Sequence, residues 1–226
     1  MIDLFKKVLV LAAHPDDEIL GVGGTISKLT KKGTIVDILI FTDGSSTQYA
    51  NDEEISENKF SEAERANKIV GTNKIDRFDF PDMRLDMIAH VDKNIALSKY
   101  ISEGNYDTVF VQDYSDINKD HQELFESTIV ACRPVPGQCV KYLLSYYVNS
   151  STEWGNILRK EFFRPNVFVD ISGEIENKLT SMKEYKTELR EYPHPRSIDS
   201  IRNTAMYFGN SVGMKYSEAF NLILAR

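Results

Sequence analysis

The chain has 226 residues, 42% of them hydrophobic and 27% charged, which suits a globular protein with a core of its own rather than a disordered or fibrous one. A formal charge of −7 predicts that it repels bulk nucleic acid and anionic membrane, so no nucleic-acid partner is expected. No segment approaches the ~20 apolar residues of a membrane-spanning helix. The apolar run at 8–13 is too short, and too closely followed by acids, for a signal peptide, and a cytoplasmic protein is expected.

"KVLVLAA" (7–13) reads as a buried strand, followed by helical spacing at Ile19, Val22, Ile26 and Leu29 over 17–31. "TIVDILIFT" (34–42) reads as a second strand, 43–58 as a long polar loop lining the mouth of a site, and 59–70 as a helix. A third strand over 74–80, a helix near 88–103 and a fourth strand over 106–112 follow. Then come a helix over 119–132, a fifth strand over 139–148, an added strand over 166–170, and helices over 172–190 and 197–211. This alternation predicts an α/β fold, a Rossmann-like three-layer sandwich with a mainly parallel central sheet. The lack of a repeat or linker predicts one domain over 1–226.

In such sheets the ligand site lies beyond the carboxyl ends of the strands. Three polar motifs fall there: "HPDDE" (14–18), "TDG" (42–44) and "DYSDINKDH" (113–121). His14 and Asp17, in H-x-x-D spacing around a turn stiffened by Pro15, offer two donors to a divalent cation, which would relieve repulsion among three consecutive acids. His121, opening a helix beyond the fourth strand, is the natural third ligand of a His₂–carboxylate set with an open position for water. Asp16 then needs no ligand role and can take a proton from a water that the ion acidifies. The competing reading of the five residues is a helix cap, with Asp16 capping and Asp17 and Glu18 favoured by the helix dipole.

"GVGGT" (21–25) falls about a turn too late for a dinucleotide fingerprint, so its glycines read as packing residues. Cys132 and Cys139 are not in CxxC spacing and read as reduced thiols.

"AHPDDEILGVGGTI", with "DINKDH" about a hundred residues on, resembles the zinc-dependent deacetylases of the PIG-L/LmbE-like family. The resemblance implies removal of acetyl groups from N-acetylglucosamine-type sugars, with His14, Asp17 and His121 binding Zn²⁺ and Asp16 as general base. It also implies sugar contacts from Arg65 in "SEAERANKI" and Asp82 in "FPDMRL". A small-molecule sugar is then the substrate, and a homo-oligomer is left open. His₂–carboxylate donors also accept Fe²⁺, Co²⁺ or Mn²⁺.

The family often shows H-x-D-H where this chain has Asn118, Lys119, Asp120 and His121. Asn118 donates a hydrogen bond but delivers no proton at neutral pH. His194, between two prolines in "YPHPRS", is the candidate replacement acid, oriented by Asp120, and Arg196 beside it is a candidate for binding an anionic substrate group. His90 falls in a helical pattern and reads as a surface or core residue. Three other readings stay open: an amidase acting on a larger amide such as a thiol conjugate, a non-catalytic sugar-binding protein, and a nucleotide-dependent enzyme.

Overall fold

The computed structural model describes residues 2–45, 53–158 and 162–226. Its centre is a seven-stranded sheet of order β3-β2-β1-β4-β5-β7-β6. The strands are β1 (Lys7–Ala12), β2 (Ile35–Thr42), β3 (Lys74–Phe80), β4 (Thr108–Gln112), β5 (Tyr142–Tyr146), β6 (Val167–Asp170) and β7 (Ser217–Ala225). The first five run parallel, while β7 pairs antiparallel with both β5 and β6.

The helices are α1 (Asp17–Lys31), α2 (Glu53–Val70), α3 (His90–Gly104), α4 (Lys119–Ala131), α5 (Thr152–Leu158), α6 (Ile175–Met182) and α7 (Ile198–Asn210). β1 shows why both faces of the sheet are covered: it is apolar at every buried position, as a parallel central strand must be. Val8, Val10 and Ala12 pack with α1, α2, α6 and α7. Leu9, Leu11 and Ala13 point the other way, towards Leu97 and Ile101 of α3 and Leu124 of α4. The result is the expected three-layer α/β sandwich. No helix of the described residues is long and apolar enough to cross a membrane.

Several expected boundaries move. The helix expected over 172–190 stops at Met182, and the chain then passes through turns to Ser197, the N-cap of α7. The expected fifth strand shortens to Tyr142–Tyr146. β7 has no counterpart in the sequence reading. The loop expected over 43–58 lies partly outside the described residues, and α2 already begins at Glu53.

Strand order reverses between β1, which continues to β2 and β3, and β4, which continues to β5. That junction is the topological switch point, where a doubly wound sheet opens a crevice at its carboxyl edge. His14 follows β1 there, and the segment 113–121 follows β4. Gly21 lets α1 approach the sheet: a Cβ at this position would lie 2.1 Å from the ring of Tyr146. Tyr146 is fully buried and its hydroxyl donates to the Leu11 carbonyl of β1 at 2.7 Å.

Candidate active site

Asp16 occupies the position before α1 with φ 107° and ψ −28°, a left-handed backbone that costs a non-glycine residue of order 1–3 kcal/mol. Its side chain caps nothing. Asp17 instead turns back, Oδ2 accepting from the His14 backbone N–H at 2.9 Å and from Gln112 Nε2 at 2.9 Å. The helix-cap reading of "HPDDE" therefore has no hydrogen bond behind it, and the strained turn aims Asp16 and Asp17 into a cavity of about 530 Å³.

Three donor atoms converge in this cavity. His14 Nδ1 is 3.4 Å from Asp17 Oδ2, His121 Nε2 is 3.3 Å from the same oxygen, and the two ring nitrogens are 3.3 Å apart. Zinc holds nitrogen and oxygen donors at roughly 2.0–2.1 Å in a tetrahedron. The edge of that tetrahedron is about 1.63 times the bond length, or about 3.3–3.4 Å. The triangle thus has the dimensions of one face of a four-coordinate site, and its three residues line the cavity.

Both imidazoles are backed by a carboxylate. His121 Nδ1 lies 3.0 Å from Asp116 Oδ2. Asp116 is itself held by the Asn118 backbone N–H at 2.8 Å and the Thr152 hydroxyl at 2.7 Å, and the Ser151 hydroxyl also donates to it. His14 Nε2 lies 3.1 Å from Asp120 Oδ2, and Asp120 accepts the backbone N–H groups of Met83 and Leu85 at 2.7 and 3.0 Å. Carboxylate–histidine pairs of this kind fix the tautomer that leaves the other ring nitrogen free to ligate.

Without an ion the carboxylates recruit protons instead. Burial alone would lower the His121 pKa, but Asp17 and Asp116 push it up to about 10. His14 is likewise held well above its ordinary value: burial opposes protonation, and the Asp120 and Asp17 carboxylates outweigh it. Burial raises Asp17 as well, but both imidazolium rings carry its carboxyl far below the usual range. The site asks for positive charge at the place where three donors meet.

Glu18, the third acid, is an anchor. It is fully buried, and its carboxylate accepts the Tyr185 hydroxyl, the Asn67 amide at 2.9 Å and the Asp16 backbone N–H at 3.2 Å. Burial, partly offset by these hydrogen bonds, pushes its pKa up to about 7. Asp16 is raised well above its ordinary value, first by burial, then by the charges of Asp17 and Glu188, with Arg196 opposing. That is the direction a general base working near neutral pH requires.

The remaining candidates divide. Asp82 lines the cavity, with Oδ1 3.4 Å from His14 Nε2. Asn118 lines it too: Oδ1 caps α4 by accepting from the Asp120 backbone N–H at 2.9 Å, while Nδ2 makes a weak contact with Met83 Sδ at 3.9 Å. Arg196 reaches in, with Nη1 2.6 Å from Glu188 Oε2 and 3.5 Å from Asp16 Oδ2. His194 does not line the cavity among the described residues. Its Nδ1 accepts the Arg196 backbone N–H at 3.0 Å, and burial, together with nearby Arg196 and Arg190, lowers its pKa. Asp120 backs His14 rather than orienting His194. Arg65 is also elsewhere: its Nε pairs with Glu184 on the surface at 3.1 Å. His90, exposed at the start of α3, is remote from this chemistry.

The sequence reading missed Lys59, Asp116, Gln112 and Glu188. The cation that α2 brings to the cavity is Lys59, which donates to the Gly44 carbonyl at 3.0 Å and pairs with Glu188 at 2.8 Å. Buried positions 59, 63, 66 and 70 lie at helical spacing, and Arg65 falls off that face. For Asp116 and Gln112 the signal was polar residues at the end of an otherwise apolar strand.

Comparison with known proteins gives the family and the fold relatives of the chain. Residues 9–132 match the family model described as PIG-L, GlcNAc-PI de-N-acetylase. The diacetylchitobiose deacetylase of Thermococcus kodakarensis is 28% identical over 224 residues, covering 96% of this chain and 83% of the relative. The N,N'-diacetylchitobiose deacetylase of Pyrococcus horikoshii superposes with a TM-score of 0.81 at 22% identity, over 99% of this chain and 85% of the other. A 4-carboxy-2-hydroxymuconate hydratase of Pseudomonas putida superposes at 0.75 and 19% identity, over 98% and 97% of the two chains. The fold alone therefore does not choose the reaction. The family match spans more than half of the chain and includes all three converging donors, and the chain belongs to the PIG-L, GlcNAc-PI de-N-acetylase family.

Proposed function

We propose that this chain is a metal-dependent N-deacetylase that hydrolyses the acetamido group of an N-acetylated amino sugar or sugar conjugate. The observation that carries the reading is the His14–Asp17–His121 triangle, with edges of 3.3–3.4 Å, beside an Asp16 that makes no capping bond. The Thermococcus relative, a diacetylchitobiose deacetylase, supports the same reaction.

His14, Asp17 and His121 hold the ion, and two imidazole nitrogens with one carboxylate are the donor set of a hydrolytic Zn²⁺ site. Bound there, a divalent cation would supply Lewis acidity to polarise the amide carbonyl and acidify the attacking water. Asp16 takes the proton from the attacking water. The tetrahedral oxyanion that results is met by donors on the cavity wall, and Asn118 Nδ2 is the group assigned to it. Asp16 then returns its proton to the leaving nitrogen, and acetate and a free amine depart. Asp82 faces the sugar hydroxyls. With Asn118 in place of a histidine, one carboxylate carries the proton both ways, and its raised pKa suits both directions.

The test is release of acetate and of free amine, in equal amounts, from N-acetylglucosamine and N,N'-diacetylchitobiose by metal-loaded protein. Release that stops on chelation and returns with Zn²⁺ supports the reading. A loaded protein that cleaves no N-acetyl sugar overturns it.

A further inference from the structure

Two of the three lysine and arginine side chains lining the cavity are already paired with a carboxylate of the protein. Glu188 accepts from both: Oε1 is 2.8 Å from Lys59 Nζ and Oε2 is 2.6 Å from Arg196 Nη1. The pairing is sheltered, with side-chain exposures of 6% for Lys59, 12% for Glu188 and 24% for Arg196. Arg196 also stands 3.5 Å from Asp16 Oδ2, so this quartet of Asp16, Glu188, Lys59 and Arg196 carries no net charge. The third cation, Lys119, opens α4, where its Nζ meets Gln122 Oε1 at 3.3 Å. Among the described residues, five carboxylates line the cavity beside these three lysine and arginine side chains and the two histidines.

Elsewhere a lysine and an arginine in one pocket would mark a phosphate or carboxylate site. Here an incoming anion must displace Glu188 from two partners at once and leave that carboxylate facing Asp16. We infer that Glu188 is a specificity residue that reserves the cavity for uncharged N-acetyl sugars, such as neutral oligosaccharides, against sugars carrying phosphate or carboxylate near the acetamido ring. This inference rests on the deacetylase reading for the reaction, and on the ion pairs alone for the charge preference. It replaces the expectation that Arg196 binds an anionic substrate group: Arg196 is held by an anion of the protein's own.

The experiment compares wild type with Glu188→Gln in two readouts. Wild type should show a kcat/KM at least about tenfold higher for N,N'-diacetylchitobiose than for N-acetylglucosamine 6-phosphate, and Glu188→Gln should narrow that ratio about tenfold. Independently of turnover, calorimetric titration of the metal-loaded proteins with inorganic phosphate should show about tenfold tighter binding to Glu188→Gln than to wild type. The contribution of the ion is common to both proteins. Glu188→Ala, which leaves no polar group behind, must move phosphate affinity in the same direction. Equal kcat/KM on both sugars in wild type, or unchanged phosphate affinity in both variants, overturns the inference. A wild type that cleaves neither sugar overturns the deacetylase reading instead, and the phosphate titration still decides the role of Glu188.

Discussion

His121 can hold a cation through Nε2 only if Nδ1 carries the ring proton, and that nitrogen faces Asp116 Oδ2 at 3.0 Å. Asp116→Asn keeps the shape but replaces one acceptor oxygen with an NH₂ group. With the NH₂ at the Oδ2 position it meets the His121 Nδ1 proton and the Thr152 hydroxyl, whose oxygen already accepts the Val148 N–H at 2.9 Å. With the amide flipped, it meets the Asn118 N–H and the Ser151 hydroxyl instead. Either way donors face donors in a buried site, at a cost of about 1–3 kcal/mol to folding. The imidazole also loses the group that fixes its tautomer, which lowers metal affinity roughly 10–100-fold, or about 1.4–2.7 kcal/mol. Thermal unfolding of the metal-free proteins reads the first effect, and competition for Zn²⁺ with a chromophoric chelator reads the second. A folded Asp116→Asn with wild-type Zn²⁺ affinity refutes the argument that Asp116 sets the His121 tautomer.

Asp16→Asn should leave metal content unchanged and reduce kcat roughly 10²–10⁴-fold, measured as acetate release with parallel metal analysis. His121 in the metal-free protein is raised from 6.5 to about 10, so the stability it contributes is fully present below about pH 6.5 and is lost as pH rises towards 10; melting of chelator-stripped protein across that range should show the decline. Because the same proton must leave before Nε2 can ligate, Zn²⁺ affinity should rise with pH over this window, and titrations at several pH values check it. Gly21→Ala places a methyl group 2.1 Å from the Tyr146 ring and should destabilise the fold by about 1–3 kcal/mol or more, read from urea midpoints. Arg65→Ala and His194→Ala remove groups that do not line the cavity and should leave kcat/KM within about twofold of wild type; a loss of tenfold or more in either restores that residue to the site.

The parallel half of the fold was legible because each strand is a short apolar run answered by a helical period, and because the sheet must place polar motifs at strand ends. The H-x-x-D spacing and His121 could be joined for the same reason. β7 was not legible: "SEAFNLILA" inserts antiparallel between β5 and β6, a pairing remote in sequence with no short-range turn to announce it. The helix expected over 172–190 hid the break after Met182, and with it the turns that deliver Tyr185 to Glu18 and Glu188 to Lys59. Arg65 came from the resemblance alone; that Lys59 and not Arg65 faces the cavity is a question of helix face, which the buried residues Ala63, Ala66 and Val70 could have answered. The sequence offered both His194 and Arg196; that Arg196 lines the cavity and His194 does not is a question of turn geometry, which the neighbouring prolines do not specify.

His14, Asp17 and His121 are proposed to hold one catalytic cation. X-ray absorption at the zinc edge of the loaded protein, with metal stoichiometry for wild type and His121→Ala, tests it most directly. One ion per wild-type chain is expected, with nitrogen and oxygen neighbours at roughly 2.0–2.2 Å, scattering from two imidazole rings, and loss of stoichiometric binding in His121→Ala. A zinc site with sulfur neighbours, or with no imidazole scattering, or full occupancy in His121→Ala, would contradict it.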